Sequence, residues 1–179
     1  MNNRNSNQTG HVSPSAVPVI AVVGRSGCGK TTLLEKVLCI LETEGIEAAV
    51  VKHSPVHEVE TDVAGTDTRR LWEAGARHVT LVAQDRVVHT HRYAGEPELA
   101  AILGDIHGVD VIFLEGYKRS RYPKLEVIRR ACDPHPIPGL ANHVGWVSDV
   151  EDLEVDGPVF GFDDMHGIAA FLVERFVAR

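Results

Sequence analysis

Residues 17–45 read VPVIAVVGRSGCGKTTLLEKVLCILETEG, and their order of residue types decides the fold. Val17 to Val23 is a short, β-branched apolar run cut off by glycine, which is how a strand covered on both faces reads. Beyond the glycine-rich segment, Leu33, Leu34, Val37, Leu38 and Leu41 recur at helical spacing, and Gly45 supplies the stop. Between strand and helix, Gly24-Arg25-Ser26-Gly27-Cys28-Gly29-Lys30-Thr31 fits GxxxxGK[ST] at every fixed position. A strand, a glycine loop and a helix in that order turn backbone N–H groups and the positive helix end toward one point, where phosphates bind. Lys30 is expected to reach the β- and γ-phosphates, Thr31 to complete a Mg²⁺ shell, and Thr32 to follow at the helix start.

Working outward, Ile46 to Lys52 reads as a second buried strand, so the opening is a right-handed parallel unit and the class is α/β. Thr66 to Ala74 reads as a helix ending at Gly75. HVTLVA and VVHTH, separated by Gln84 to Arg86, read as a hairpin appendage from His78 to His91. Pro97 to Leu103 is a short helix, VDVIFLEG a third central strand, LEVIR another, and HVGWVSD the last. A closing helix begins at an aspartate cap and aligns Ile168, Phe171, Leu172, Val173 and Phe176. The expected architecture is a doubly wound, mostly parallel P-loop sheet spanning 17–179, after a disordered tail over 1–16.

The 179 residues fit one hydrophobic core. A formal net charge of −7, without a run of five like charges, argues against a general nucleic-acid binder. No apolar stretch is long enough for a membrane span and the N-terminus lacks a signal-peptide core, so a cytoplasmic protein is expected. Cys28, Cys39 and Cys132 are odd in number and show no CxxC spacing, which suggests reduced thiols rather than a disulfide framework or a zinc cluster. Cys28 lies at a helix N-terminus, where a thiolate is expected to be favoured.

A P-loop protein needs a carboxylate near its metal, at a strand end facing the phosphates. Glu115, which ends VDVIFL, and Asp62, in the loop after the second strand, are the two candidates. Asp110 opens its strand and belongs at the opposite edge. Lys52-His53 also lies on the phosphate side, while Arg69 and Arg70 follow on a short helix. The loop Gly116 to Lys124 is basic with two tyrosines, equally suited to an anionic ligand or to plain solvent. Asp149 ends the last strand where a carboxylate can accept from guanine N1–H and N2, or simply cap a turn.

These residues resemble the family of molybdopterin-guanine dinucleotide biosynthesis protein B. The resemblance rests on the P-loop, on Lys52-His53, and on Asp62 to Arg70 running into Ala74-Gly75-Ala76. It rests further on Glu115-Gly116-Tyr117-Lys118 followed by Pro123 to Val127 and Arg129. One position departs, with Thr66 standing where the family carries lysine. The resemblance implies a P-loop fold, a homodimer, GTP as the nucleotide with weak hydrolysis, and assistance to the molybdopterin guanylyltransferase that attaches GMP to molybdopterin. Two other classes compete. A P-loop kinase acting on a small molecule would need an arginine-rich lid, and a metal-delivering GTPase would need a His- or Cys-rich terminus.

Overall fold

The computed structural model describes residues 17–54 and 63–178. The tail expected over 1–16 lies outside them, as does Asp62. The described residues form two compact units, one up to His53 and from Leu103 onward, the other between Ser54 and Ile102.

The first unit is a six-stranded sheet in the order β2-β5-β1-β6-β7-β8. Its strands are β1 (Val19–Gly24), β2 (Ala48–Lys52), β5 (Val111–Glu115), β6 (Lys124–Ile128), β7 (His143–Ser148) and β8 (Val159–Phe160). Every pairing in it is parallel. Parallel neighbours place all strand C-termini on one edge, so the loops that follow β1, β5, β6 and β7 emerge together. β1 and β5 are buried at every residue because both faces are covered. On one face, Ile20, Val22, Phe113, Leu125, Val127 and Val147 alternate with residues of the other face, as the two-residue repeat requires. Helix α1 (Lys30–Thr43) packs there through Leu33, Leu34, Val37 and Leu41, beside Ile168, Ala169 and Leu172 of α4 (Met165–Leu172). Asp164 caps α4 by accepting from Gly167 N, and the chain then relaxes into a π-turn over Val173–Val177.

Two expectations need correction. The strand after α1 is the outermost of the sheet, and Val50 keeps 42% exposure, so it is not buried on both faces. A run of small apolar residues carries no mark that separates an edge from a central parallel strand. The sheet also does not end at β7, since β8 adds two residues, too few for any periodicity.

The second unit holds α2 (Asp67–Glu73), capped by the Thr66 hydroxyl accepting from Arg69 N, and the antiparallel hairpin β3 (His78–Val82) and β4 (Val87–His91). Arg92 joins the two elements, donating to the Trp72 carbonyl at 2.9 Å and stacking over its ring at 4.2 Å. The chain returns through α3 (Leu99–Gly104).

Asp110 is placed as expected, at the far edge from the glycine loop. It makes a two-way clasp with Glu47, its N–H donating to the Glu47 carbonyl at 2.7 Å and its Oδ2 accepting from Glu47 N at 2.8 Å. Asp110→Ala is expected to lower the urea midpoint by an amount worth about 1 kcal/mol while leaving triphosphate affinity unchanged. A loss of affinity in a fully folded variant would contradict this assignment.

Candidate nucleotide site

The glycine loop bends sharply between β1 and α1. Gly24 has φ 152°, and a β-carbon there would lie 2.5 Å from the Val127 carbonyl and 2.8 Å from Cys28 Sγ. Gly27 meets no such obstacle, but its φ of 76° lies in the left-handed region that favours glycine. Gly29, again at positive φ, is the N-cap, and the first turn starts at Lys30. Arg25 is the hub of the bend. Its carbonyl accepts from Lys30 Nζ at 2.7 Å and from Cys28 Sγ at 2.9 Å, and its Nε pairs with Asp133 Oδ2 at 2.6 Å. Hydrogen bonds from the His135 backbone and ring, with Arg25 adding to them, hold the Asp133 carboxyl below the usual range. Ser26, Gly27, Thr31 and Thr32 are exposed along the mouth.

On the β5 side of the loop three polar groups converge. The Thr31 hydroxyl donates to Glu115 Oε1 at 2.8 Å, and Lys52 Nζ lies 3.1 Å from the same oxygen and 3.3 Å from Thr31 Oγ1. Glu115 is 8% exposed, so this carboxylate sits at the floor with a cation above it. Lys52 reaches it because β2 and β5 pair in register, Lys52 opposite Glu115. His53 contacts Tyr117 edge to face at 5.3 Å, next to Gly116 with its φ of 93°.

The remaining predicted residues have partners of their own. Arg69 and Arg70 pair within α2, with Glu73 at 2.6 Å and Asp67 at 3.4 Å. In the basic loop, Lys124 is buried and donates to the Ser120 and Tyr122 carbonyls at 2.6 and 3.0 Å, and burial pushes its ammonium below the ordinary lysine range. It fastens its own loop and is not available to a ligand. Glu126 is buried too, accepting from Ile137 N and from His143 Nε2, each at 2.8 Å, while His143 stacks on Trp146 at 4.2 Å. Asp149 Oδ1 accepts from Arg130 N at 2.6 Å, and its Oδ2 lies 3.8 Å from Arg129 Nε. One carboxylate oxygen is thus committed to the turn and the other faces Arg129.

A family model described as molybdopterin guanine dinucleotide synthesis protein B matches residues 19–149. The chain belongs to this MobB family. It is 31% identical over 163 residues to a molybdopterin-guanine dinucleotide biosynthesis adapter protein of Escherichia coli, covering 88% of this chain and 93% of that protein. A Haemophilus influenzae protein of the same description is 31% identical over 159 residues, covering 87% and 88%. The fold superposes on a crystal structure of Bacillus subtilis MobB with a TM-score of 0.73 at 22% identity, over 90% of this chain and 99% of that one. The sheet is accordingly a P-loop sheet of the MobB kind. Among the described residues, no helix is long and apolar enough to cross a membrane.

Cys28 departs from the expectation that its place at a helix N-terminus favours the thiolate. It is 1% exposed and also points at the Val127 carbonyl, 3.4 Å away. Burial pushes the thiol up, outweighing the opposing pull of Lys30. A raised pKa leaves less thiolate at neutral pH, and the side chain is enclosed. A thiol reagent at pH 7 is therefore expected to label exposed Cys39 and Cys132 quickly and Cys28 only after unfolding. Fast labelling of Cys28 in the folded chain, mapped by peptide mass, would refute this.

Proposed function

We propose that this chain is a GTP-binding adapter that assists a molybdopterin guanylyltransferase in attaching GMP to molybdopterin, with weak Mg²⁺-dependent hydrolysis. The relatives' description as adapters supports the pathway. The observation that carries nucleotide use is the Thr31–Glu115 hydrogen bond at the rim of a P-loop. A hydroxyl and a carboxylate are hard oxygen donors suited to Mg²⁺, and the Lys52 ammonium against both marks a spot that favours positive charge. Among the described residues there is no cluster of three or more His, Cys, Asp or Glu able to hold a metal. A metal held by Thr31 and Glu115, with Asp62 as a further candidate, would take its other ligands from phosphate and water, as Mg²⁺ commonly does.

Held by Thr31 and Glu115, Mg²⁺ would supply positive charge to the phosphates of a bound nucleotide. The backbone from Gly24 to Gly29 cradles the phosphates, with Arg25 pinned by Asp133 so that the bend is preset. Lys30 exchanges the Arg25 carbonyl for phosphate oxygen, and Glu115 holds the Thr31 hydroxyl in place. Molybdopterin is a candidate second ligand of the assembly. The adapter acts as a homodimer, and the hairpin supports this, because Leu81, Val82, Val87 and Val88 are exposed on it. Sedimentation at micromolar concentration is expected to give a dimer, and a monomer alone would reject that part of the reading.

Lys30→Ala is expected to weaken GTP binding by about ten- to a hundredfold in calorimetry, since a charge-assisted hydrogen bond contributes roughly 1.5–3 kcal/mol. Glu115→Ala is expected to reduce Mg²⁺-dependent hydrolysis more than binding, and removing Mg²⁺ with EDTA to abolish the difference. Unchanged affinity in the first variant would sink the P-loop assignment.

Guanine selection is assigned to Asp149 Oδ2 accepting from the N1–H and N2 edge. Asp149→Asn is expected to shift preference from GTP toward XTP by roughly 1–3 kcal/mol, measured by competition. Retained preference for GTP would remove Asp149 from base reading.

A further inference from the structure

The Thr31–Glu115 pair carries a cation of its own. Lys52 Nζ lies 3.1 Å from Glu115 Oε1 and 3.3 Å from Thr31 Oγ1. The Thr31 hydroxyl gives its one proton to Glu115, so the ammonium donates to the lone pairs that Thr31 has left. These are the two side chains assigned above to Mg²⁺, and a lone pair given to an ammonium is not open to a metal at the same time. A divalent ion and an ammonium a few ångströms apart also repel each other.

The backbone at Lys52 is fixed while its head is not. Lys52 stands opposite Glu115 across β2 and β5, and the ladder runs one residue further, with His53 N donating to the Glu115 carbonyl at 3.1 Å. Beyond that anchor the side chain is 57% exposed, and its flexible four-carbon stem lets the ammonium swing without moving the strand. On the other flank of the loop the cation is confined. Arg129 holds its guanidinium carbon 4.1 Å above the Phe162 ring, and a β-carbon on Gly29 would lie 3.9 Å from that same carbon, so both faces are covered. Of these two, Lys52 is the cation able to change partners.

We propose that Lys52 is an exchangeable cation, which leaves the Thr31–Glu115 pair to a metal-bound triphosphate and passes to the terminal phosphate. The proposal rests on the nucleotide-binding reading above and names the residue that tells a triphosphate from a diphosphate. With a triphosphate, the displaced ammonium finds a new anion beside the pair it has left, in a charge-assisted hydrogen bond. With a diphosphate, Lys52 gives up Glu115 and Thr31 and gains no third phosphate in return. Lys52 thus stabilises the triphosphate complex and opposes the metal in the diphosphate complex.

The test is calorimetry of GTP and GDP, each in Mg²⁺ and in EDTA. Lys52→Met keeps the aliphatic stem and removes the charge. In Mg²⁺ the wild-type chain is expected to prefer GTP, and Lys52→Met to lose about tenfold of that preference, mostly through weaker GTP binding. The gain in GDP affinity on adding Mg²⁺ is expected to be larger in Lys52→Met by about threefold or more, because the competing cation is gone. Lys52→Arg keeps the charge and is expected to restore most of the preference, with unchanged melting temperatures as the folding control. Equal losses for GTP and GDP would overturn the proposal and leave Lys52 a support of the loop. A lost preference without the larger metal gain would overturn the exchange and make Lys52 a phosphate ligand alone. A wild-type chain that binds GTP and GDP equally would overturn it as well. If the folded wild-type chain bound neither, the nucleotide-binding reading itself would fall, a result distinct from all of these.

Discussion

At Gly24 the Val127 carbonyl lies 2.5 Å from where a β-carbon would be, and the geometry of the site depends on that close approach. It lets the end of β1 run hard against β6 before the chain turns. The turn then buries Cys28, which bonds both the Arg25 and the Val127 carbonyls and so ties the loop to its neighbouring strand. With the loop held, α1 starts where Thr31 meets Glu115 on one flank and where Gly29 meets Arg129 on the other. Any side chain at position 24 would push the loop off β6 and pull both flanks apart.

The site thereby divides by element. β5 and β2 supply oxygen and ammonium groups through residues at the very ends of strands, where a side chain can face the glycine loop without breaking the ladder. β6 and β7 supply their polar groups in two layers. Lys124 and Glu126 turn inward and fasten the loops on either side of β6, while Arg129 and Asp149 stand just past the strand ends and remain partly exposed. Buried charges of this kind stay because each has its hydrogen bonds made, Lys124 with two carbonyls and Glu126 with an amide and an imidazole.

Much of this was legible in the sequence wherever one residue type answers one local demand. Glycines at 24, 27 and 29 before Lys30 and Thr31 could mean little else after a β-branched run, and Glu115 followed by Gly116 marked a strand end facing the loop. The legibility stopped where a role depends on partners distant in the chain. Lys124 and Glu126 look like exposed residues of a basic loop and a strand, because nothing local says that carbonyls or a histidine will receive them. Arg129 and Phe162 lie 33 positions apart with nothing in either segment to announce a stack. The edge position of β2 was hidden for the same reason, and β8 because two residues carry no period. The helix-start argument for Cys28 was sound in kind but smaller than the desolvation of a thiol packed between strand and loop.

The clasp between Asp110 and Glu47 sits at the end of the sheet with no chemistry, yet it sets a length. From it the two strands run side by side, Ala48 opposite Val111 through Lys52 opposite Glu115, at about 3.3 Å per residue. A slip of one position would carry Lys52 past its partner and turn its side chain to the opposite face of the sheet. The clasp therefore works as the zero mark of a ruler whose far reading is the meeting of an ammonium and a carboxylate. The clasp marks this register without setting it alone, since five successive pairs from Ala48 opposite Val111 to Lys52 opposite Glu115 hold it as well.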